Sequence, residues 1–164
     1  MATEGDHIRL ANRNHELLLK LLADGGFPDW AVTVAFYKAV HVVEAAFASL
    51  KVHSASHTAR EEMLKRPRFK GLWKDYSHLL TASRIARYLS SSGAGEFHSF
   101  SDYLDLEGVK KLVRKRLYGV EQGTLAFLTT GGKGGLEEDR PCGGLAVCLP
   151  AQLRKCQTGS RECR

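Results

Sequence analysis

Residues 30–47 read WAVTVAFYKAVHVVEAAF. This stretch is the strongest indication of the fold, because as a helix it would be apolar around most of its circumference. It lies within residues 29–51, which contain no glycine or proline and so predict one long helix. A stripe of large apolar residues recurs at helical spacing, and a stripe of small ones lies beside it. The large stripe is Val32, Phe36, Val40, Val43 and Phe47, and the small stripe is Ala31, Ala35, Ala39, Val42 and Ala46. A helix with this much apolar surface is expected at the centre of a bundle.

Four further segments show helical periodicity, while no segment alternates convincingly between apolar and polar residues as a strand does. The predicted helices cover residues 6–23, 59–66, 69–89 and 106–128. A loop containing Phe97, Phe100 and Tyr103 is expected before the last of them. We therefore predict an all-α domain over residues 1–130.

The C-terminal segment 131–164 differs in composition from this domain. Its first part, GGKGGLEEDRPCGG at 131–144, holds six glycines. Such a segment buries too little apolar surface to offset the entropy of ordering it, so we predict a disordered tail. All four cysteines lie in this tail without a CxxC pair, and we interpret them as reduced thiols rather than a disulfide framework or a zinc site.

Composition restricts the classes of function. The formal net charge of +6 favours phosphate-bearing or acidic partners. The N-terminus lacks the apolar core of a signal peptide. The central apolar stretch is interrupted by Lys38, His41 and Glu44, so a membrane span is not expected. We predict a cytoplasmic protein without a membrane partner.

Residues 53–62, HSASHTAREE, open the third predicted helix. Thr58 and Glu61 match a capping box, in which each side chain bonds the other residue's backbone amide. Arg60 lies in the first turn, where the helix dipole disfavours a cation. Arg60 should therefore have a partner elsewhere, either a phosphate or Glu44. The favoured interpretation of His53 is a solvated loop residue. His57 is placed where its side chain can fold back over the central helix.

The central helix carries a polar stripe, since Tyr37, His41 and Glu44 recur at i, i+4 and i+7. A buried carboxylate needs a partner. The interpretation we favour is a structural network, with an arginine paired to Glu44 and a hydroxyl bonded to His41. The alternative is a titratable pair lining a cleft, because histidine titrates near neutral pH.

The fourth predicted helix offers a matching stripe of Tyr76, Ser83 and Arg87, with Tyr88 adjacent. Arg87 would either neutralise Glu44 inside the bundle or face a phosphate. These two interpretations are compatible with each other.

A basic stripe marks the last predicted helix. In VKKLVRKRL, residues 109–117, the cations Lys110, Lys111, Arg114 and Lys115 lie opposite the apolar positions. The favoured interpretation is the solvated outer face of an amphipathic helix. The alternative is a track for a nucleic-acid backbone, bound without sequence readout.

Three segments together resemble the HEPN domain superfamily: FPDWAVTVAFYKAVHVVEAAFA (27–48), HSASHTAREEML (53–64) and LWKDYSHLLTASRIARYL (72–89). The resemblance covers roughly residues 6–125. It implies an up-and-down bundle of four to five helices that is often dimeric. Many such domains are metal-independent endoribonucleases in toxin–antitoxin or phage-defence systems, and others are non-catalytic partners of nucleotidyltransferases. Catalytic members carry an arginine and then a histidine with four to six residues between them, whereas here His57 precedes Arg60.

From this resemblance we predict a nucleic-acid- or nucleotide-binding module. The biological role that the resemblance suggests for it is that of an RNA-targeting toxin or defence component. If it is an enzyme, it is a ribonuclease in which a histidine acts as the base and an arginine stabilises the phosphorane charge. The predicted catalytic pair is His57 and Arg60. The predicted binding residues are Tyr37, His41, Glu44, Tyr76, Ser83, Arg87 and Tyr88.

The alternative function is a non-catalytic dimeric interaction protein that holds a nucleotidyltransferase. The expected partners are therefore RNA or a nucleotide, a nucleotidyltransferase-type protein, and a second copy of the chain. No cofactor or metal is expected, since no helix carries a pair such as HExxH.

Overall fold

Helices account for most of the described chain, which in this computed structural model comprises residues 2–91 and 95–131. The predicted tail, apart from Gly131, and its cysteines lie outside the described residues. The helices are α1 (Glu4–Asp24), α2 (Pro28–Ser49), α3 (His57–Lys65), α4 (Lys70–Tyr88), α5 (Phe100–Tyr103), α6 (Leu106–Leu112) and α7 (Tyr118–Gly131). They confirm the predicted all-α class for this part of the chain.

The long helices begin and end where local chemistry dictates. Thr3 and Asp6 form a capping box at the start of α1, and Gly25 ends it in the left-handed conformation, at φ 78°. Pro28 occupies the first turn of α2, because its missing N–H is not needed there.

The last predicted helix is one continuous helical run made of three parts. A π-helical segment, Val113–Leu117, joins α6 to α7.

Residues 90–105, predicted as a loop, contain three short elements that the sequence did not predict. Strands β1 (Ser90–Ser91) and β2 (Gly95–Glu96) pair in antiparallel fashion, and α5 forms a single turn. These elements are too short to show a periodic pattern.

The central position predicted for α2 is confirmed, because α2 packs against α1, α4 and α7. Both of its stripes are buried. The buried charge of Lys38 is paired with Glu121 of α7, and its Nζ lies 3.0 Å from His15 Nδ1 of α1. A paired ammonium avoids the cost of an isolated buried charge.

By length and mean hydropathy, α2 falls within the range of a membrane-spanning helix, contrary to the sequence-based expectation. Of its most apolar window, 83% is buried among the other helices, as in the core helix of a bundle.

Helices α4 and α7 approach closely through two glycines, Gly119 and Gly123. A Cβ atom at Gly123 would lie 2.6 Å from Leu72 Cδ2, and one at Gly119 would overlap the Asp75 carboxylate. The missing side chains therefore set the separation of these helices. The Asp75 carboxylate accepts a hydrogen bond from Arg116 Nη1 at 2.8 Å, which fixes it in this contact.

Candidate binding site

A buried ion pair joins α2 to α3. Glu44 is 5% exposed and Arg60 is 8% exposed, and Arg60 Nε donates to Glu44 Oε1 at 2.6 Å. The Ser54 hydroxyl also donates to Oε1, while its backbone N–H reaches Oε2 at 3.5 Å. Of the two partners predicted for Arg60, the structure places Glu44 beside it. The suggestion that Arg87 neutralises Glu44 is wrong, because Arg60 takes that position.

The start of α3 differs from the predicted capping box. Ser56 is the N-cap, and its hydroxyl accepts from the Ala59 N–H at 3.1 Å. The capping box predicted at Thr58 and Glu61 is wrong, because the helix begins at His57, two residues earlier than expected. Glu61 instead accepts from Arg84 Nη2 at 2.7 Å.

His57 and Arg60, the predicted catalytic pair, are in contact. Arg60 Nη1 lies 3.0 Å from His57 Nδ1. A guanidinium only donates, so Nδ1 is the acceptor and the proton of a neutral His57 ring is on Nε2. Burial lowers the pKa of His57, and the charges of Arg60 and Arg87 lower it further. The neutral imidazole is therefore favoured, with an N–H available at Nε2.

Arg87 lies among aromatic rings at the surface. Its Cζ atom is 6.0 Å from the centroid of Tyr37 and 5.2 Å from that of Tyr88, and its Nε donates to the Ser83 carbonyl at 3.0 Å. Tyr88 is 68% exposed. His57 completes the group, since its ring centroid lies 6.5 Å from that of Tyr37. We call Tyr37, His57, Arg87 and Tyr88 the aromatic platform.

Arg87 makes no salt bridge within residues 2–91 and 95–131. Its guanidinium is held by a carbonyl and by aromatic faces, and it keeps its full positive charge at the surface. Cations over aromatic rings are attracted by the ring quadrupole. The platform thus offers stacking faces and an uncompensated cation together.

Two predicted binding residues, Tyr76 and Ser83, lie in the core rather than on the platform. Both are 0% exposed, and neither hydroxyl has a hydrogen-bond partner among the described residues. Burial raises the pKa of Tyr76 to about 12, although the nearby Arg60 charge opposes this. These hydroxyls lie beneath the site and do not line it.

His41 faces a residue that sequence reasoning did not single out. Its Nδ1 lies 3.3 Å from Nδ1 of His7 in α1, so the expected hydroxyl partner is wrong. Burial lowers the pKa of both imidazoles. The sequence carries no signal for this contact, since it depends on how α1 packs on α2.

The two histidines open into a groove of about 510 Å³, which we call the histidine groove. Its polar lining consists of His7, His41, Glu44, His53, Ser54 and Arg60. Arg60 belongs to both parts of the site, since it pairs with Glu44 in the groove and contacts His57 of the platform. The residues predicted from three helices are therefore divided between a groove, a platform and the core below.

The charges of the basic stripe at residues 109–117 are partly neutralised by a nearby carboxylate. Lys110 Nζ lies 2.7 Å from Glu107 Oε1, and Arg114 lies 4.0 Å from the same carboxylate. Lys111 and Lys115 are exposed beside a shallow cavity of about 720 Å³. This arrangement agrees with the favoured interpretation of a solvated face.

No family model, curated protein or solved structure matches the chain. The class defined by fold and site is thus an all-α protein with a platform of aromatic and cationic side chains. The HEPN resemblance stays a prediction carried by the three segments quoted above.

Proposed function

We propose that this chain is a HEPN-like module that binds single-stranded RNA or a nucleotide through its aromatic platform. The observation that carries the proposal is the exposed, unneutralised Arg87 guanidinium lying between Tyr37 and Tyr88. Aromatic faces stack nucleobases without regard to sequence, and an arginine supplies the charge for the phosphate. The net charge of +6 would favour the approach of a polyanion.

The chemistry of His57 supports binding rather than cleavage. Its Nδ1 accepts from Arg60, and its Nε2 carries the proton, so a neutral ring in this geometry has no free basic nitrogen. The charge of Arg60 is compensated by Glu44. A ribonuclease would need a free base and a cation open to the phosphorane. His57 Nε2–H instead suits a hydrogen bond to a phosphate or a base.

Binding of a labelled single-stranded RNA oligonucleotide to the full chain, followed by fluorescence anisotropy at low salt, tests this proposal. We expect binding that weakens with added salt, because phosphate contacts release counterions. Loss of one stacking face costs about 1–3 kcal/mol, so Tyr37→Ala should weaken binding roughly 5- to 150-fold. The RNA should remain intact on a gel.

Lys111→Ala is the matched control, since it removes an exposed cation that lies outside the platform. It should weaken binding far less than Arg87→Ala. The proposal fails if the wild-type chain does not bind at low salt, or if the two variants lose affinity equally.

A second candidate function, the dimeric interaction protein, is favoured by two exposed aromatic side chains at the start of α2. Phe27 is 52% exposed and Trp30 is 59% exposed. Exposed aromatics of this kind are enriched in protein interfaces. The occupant would be a second copy of the chain or a nucleotidyltransferase-type protein. Light scattering on the full chain and on Trp30→Ser tests this function, which requires a dimer or complex that the substitution disrupts.

A further inference from the structure

Three side chains from separate segments converge in the histidine groove: His7 from α1, Glu44 from α2 and His53 from the loop that precedes α3. One nitrogen or oxygen atom of each lies within 4.8 Å of the others. Their positions in the sequence are too far apart to form a local motif. The expectation of no metal rested on the absence of an HExxH pair within one helix. A ligand group drawn from three separate segments leaves no such pair in the sequence.

The chemistry of these groups suits a borderline divalent cation. Two imidazole nitrogens and one carboxylate oxygen form a common ligand set for zinc in proteins. The two carboxylate oxygens of Glu44 have different hydrogen-bond partners. Oε1 accepts from Arg60 Nε and from the Ser54 hydroxyl. Among residues 2–91 and 95–131, Oε2 has only the long 3.5 Å contact with the Ser54 N–H. A lone pair on Oε2 therefore remains for a cation.

A further imidazole, that of His41, contacts one of the three ligands. Its Nδ1 lies 3.3 Å from His7 Nδ1, but His41 is outside the group whose ligand atoms all lie within 4.8 Å of one another. His41 is therefore placed to orient the His7 ring through a hydrogen bond.

We propose that His7, Glu44 and His53 bind a zinc-class divalent cation, with a water molecule in the remaining position. The groove is open, so the site is accessible to a metal from solvent. The positive charge of Arg60 opposes the cation and limits affinity, while its hydrogen bond to Oε1 orients the carboxylate. None of the three proposed ligands belongs to the platform, although Arg60 contacts both Glu44 and His57.

Zinc titration of the full chain by isothermal calorimetry tests the proposal, after removal of any affinity tag and treatment with a chelator. A parallel chain in which the four cysteines are replaced by serine separates groove binding from binding to thiols. We expect one equivalent of Zn²⁺ to bind to both chains, and the midpoint of thermal unfolding to rise with zinc. Co²⁺ should give the visible absorption of a four-coordinate site.

His53→Ala and His7→Ala, made in the serine-substituted chain, should each weaken zinc binding at least tenfold, since even an indirect change at a zinc site costs about 10- to 100-fold. His78→Ala is the matched control, because His78 is exposed on α4 and its Nδ1 lies 2.7 Å from the Lys74 carbonyl. It should leave affinity unchanged. Should His7→Ala unfold, as judged by circular dichroism, His53→Gln in the loop provides the same comparison.

Two results would overturn the proposal. One is a folded, serine-substituted chain that takes up no Zn²⁺. The other is a set of groove variants that bind zinc as tightly as His78→Ala does.

Discussion

Among single residues, Arg60 makes the contacts that connect the two parts of the candidate site. Its guanidinium donates to Glu44 through Nε and to His57 through Nη1, so one side chain links the groove with the platform. Both partners of the Arg60–Glu44 pair are more than nine-tenths buried. A buried pair of this kind is costly to break, because removing one partner leaves an uncompensated charge.

Glu44→Ala should lower the free energy of unfolding by about 3–5 kcal/mol, because it leaves the Arg60 guanidinium buried without a counter-charge. Urea denaturation in the presence of a chelator measures this change. Glu107→Ala removes an exposed carboxylate from a surface pair, and it should cost no more than about 1 kcal/mol. Equal effects of the two substitutions would mean that the buried pair does not contribute as described.

The lowered pKa of His57 makes folding stability depend on pH. The folded state holds the pKa of His57 below its ordinary value of 6.5, so at lower pH the unfolded chain binds more protons than the folded chain. The contribution of His57 is therefore present above pH 6.5 and is lost as the pH falls through the folded-state pKa. Burial contributes most to this lowering of the pKa, the charges of Arg60, Arg87 and Arg84 add to it, and the charge of Glu61 opposes it.

His57→Gln should flatten the decline in stability between pH 7 and pH 5, relative to the wild-type chain. Urea midpoints measured across this range provide the comparison, and the carboxylates, which also titrate there, cancel in the difference. Identical pH profiles would show that His57 keeps its ordinary pKa in the folded protein.

Sequence reasoning reached some of these residue contacts and missed others for physical reasons. An arginine in the first turn of a helix needs a partner, and Glu44 was one of the two named. The His7–His41 contact could not be foreseen, because it depends on the rotation of α1 against α2. The burial of Tyr76 and Ser83 was missed for a related reason, since helical spacing gives the face of α4 but not the depth of each position below the surface.

At the scale of elements, the long helices were predictable because their apolar periodicity extends over several turns. Their observed ends differ from the predicted ones by a few residues, and α3 shows why. Ser56 and Thr58 can both act as N-caps, and the structure selects Ser56.

Ser56→Ala should lower the free energy of unfolding by about 1 kcal/mol, because the Ala59 N–H loses its acceptor at the start of α3. Thr58→Ala is the matched control two residues away, and it should change stability by less than about 0.5 kcal/mol. Thermal or urea unfolding of both variants tests this assignment. A larger loss for Thr58→Ala would restore the capping box predicted from the sequence.

The contact between α4 and α7 provides a second test at this scale. Gly123→Ala places a methyl group against the buried Leu72 side chain, and overpacking of this kind costs about 1–3 kcal/mol. The gain in helix propensity, about 1 kcal/mol, offsets only part of that cost. We expect a net loss of stability.

Gly71→Ala is the control for this substitution, because a Cβ atom there meets no other atom within 4 Å. Its stability should stay the same or rise by up to about 1 kcal/mol. If Gly123→Ala is as well tolerated as Gly71→Ala, then the close helix contact is not what requires glycine.

At the scale of the whole molecule, the bundle brings together side chains that lie far apart in the chain. The central helix α2 supplies Tyr37, while α3 supplies His57 and α4 supplies Arg87. The all-α class followed from the pattern of α2 and its neighbours. The division of polar residues between groove, platform and core did not, because it is set by the packing of whole helices.

The most direct test of the account is a double-mutant cycle on RNA affinity with Tyr37→Ala, Arg87→Ala and the combined variant. If the two residues form one binding surface, the losses should be non-additive, with a coupling of about 0.5–3 kcal/mol. Strictly additive losses, or affinities unchanged from the wild-type chain, would contradict a shared platform.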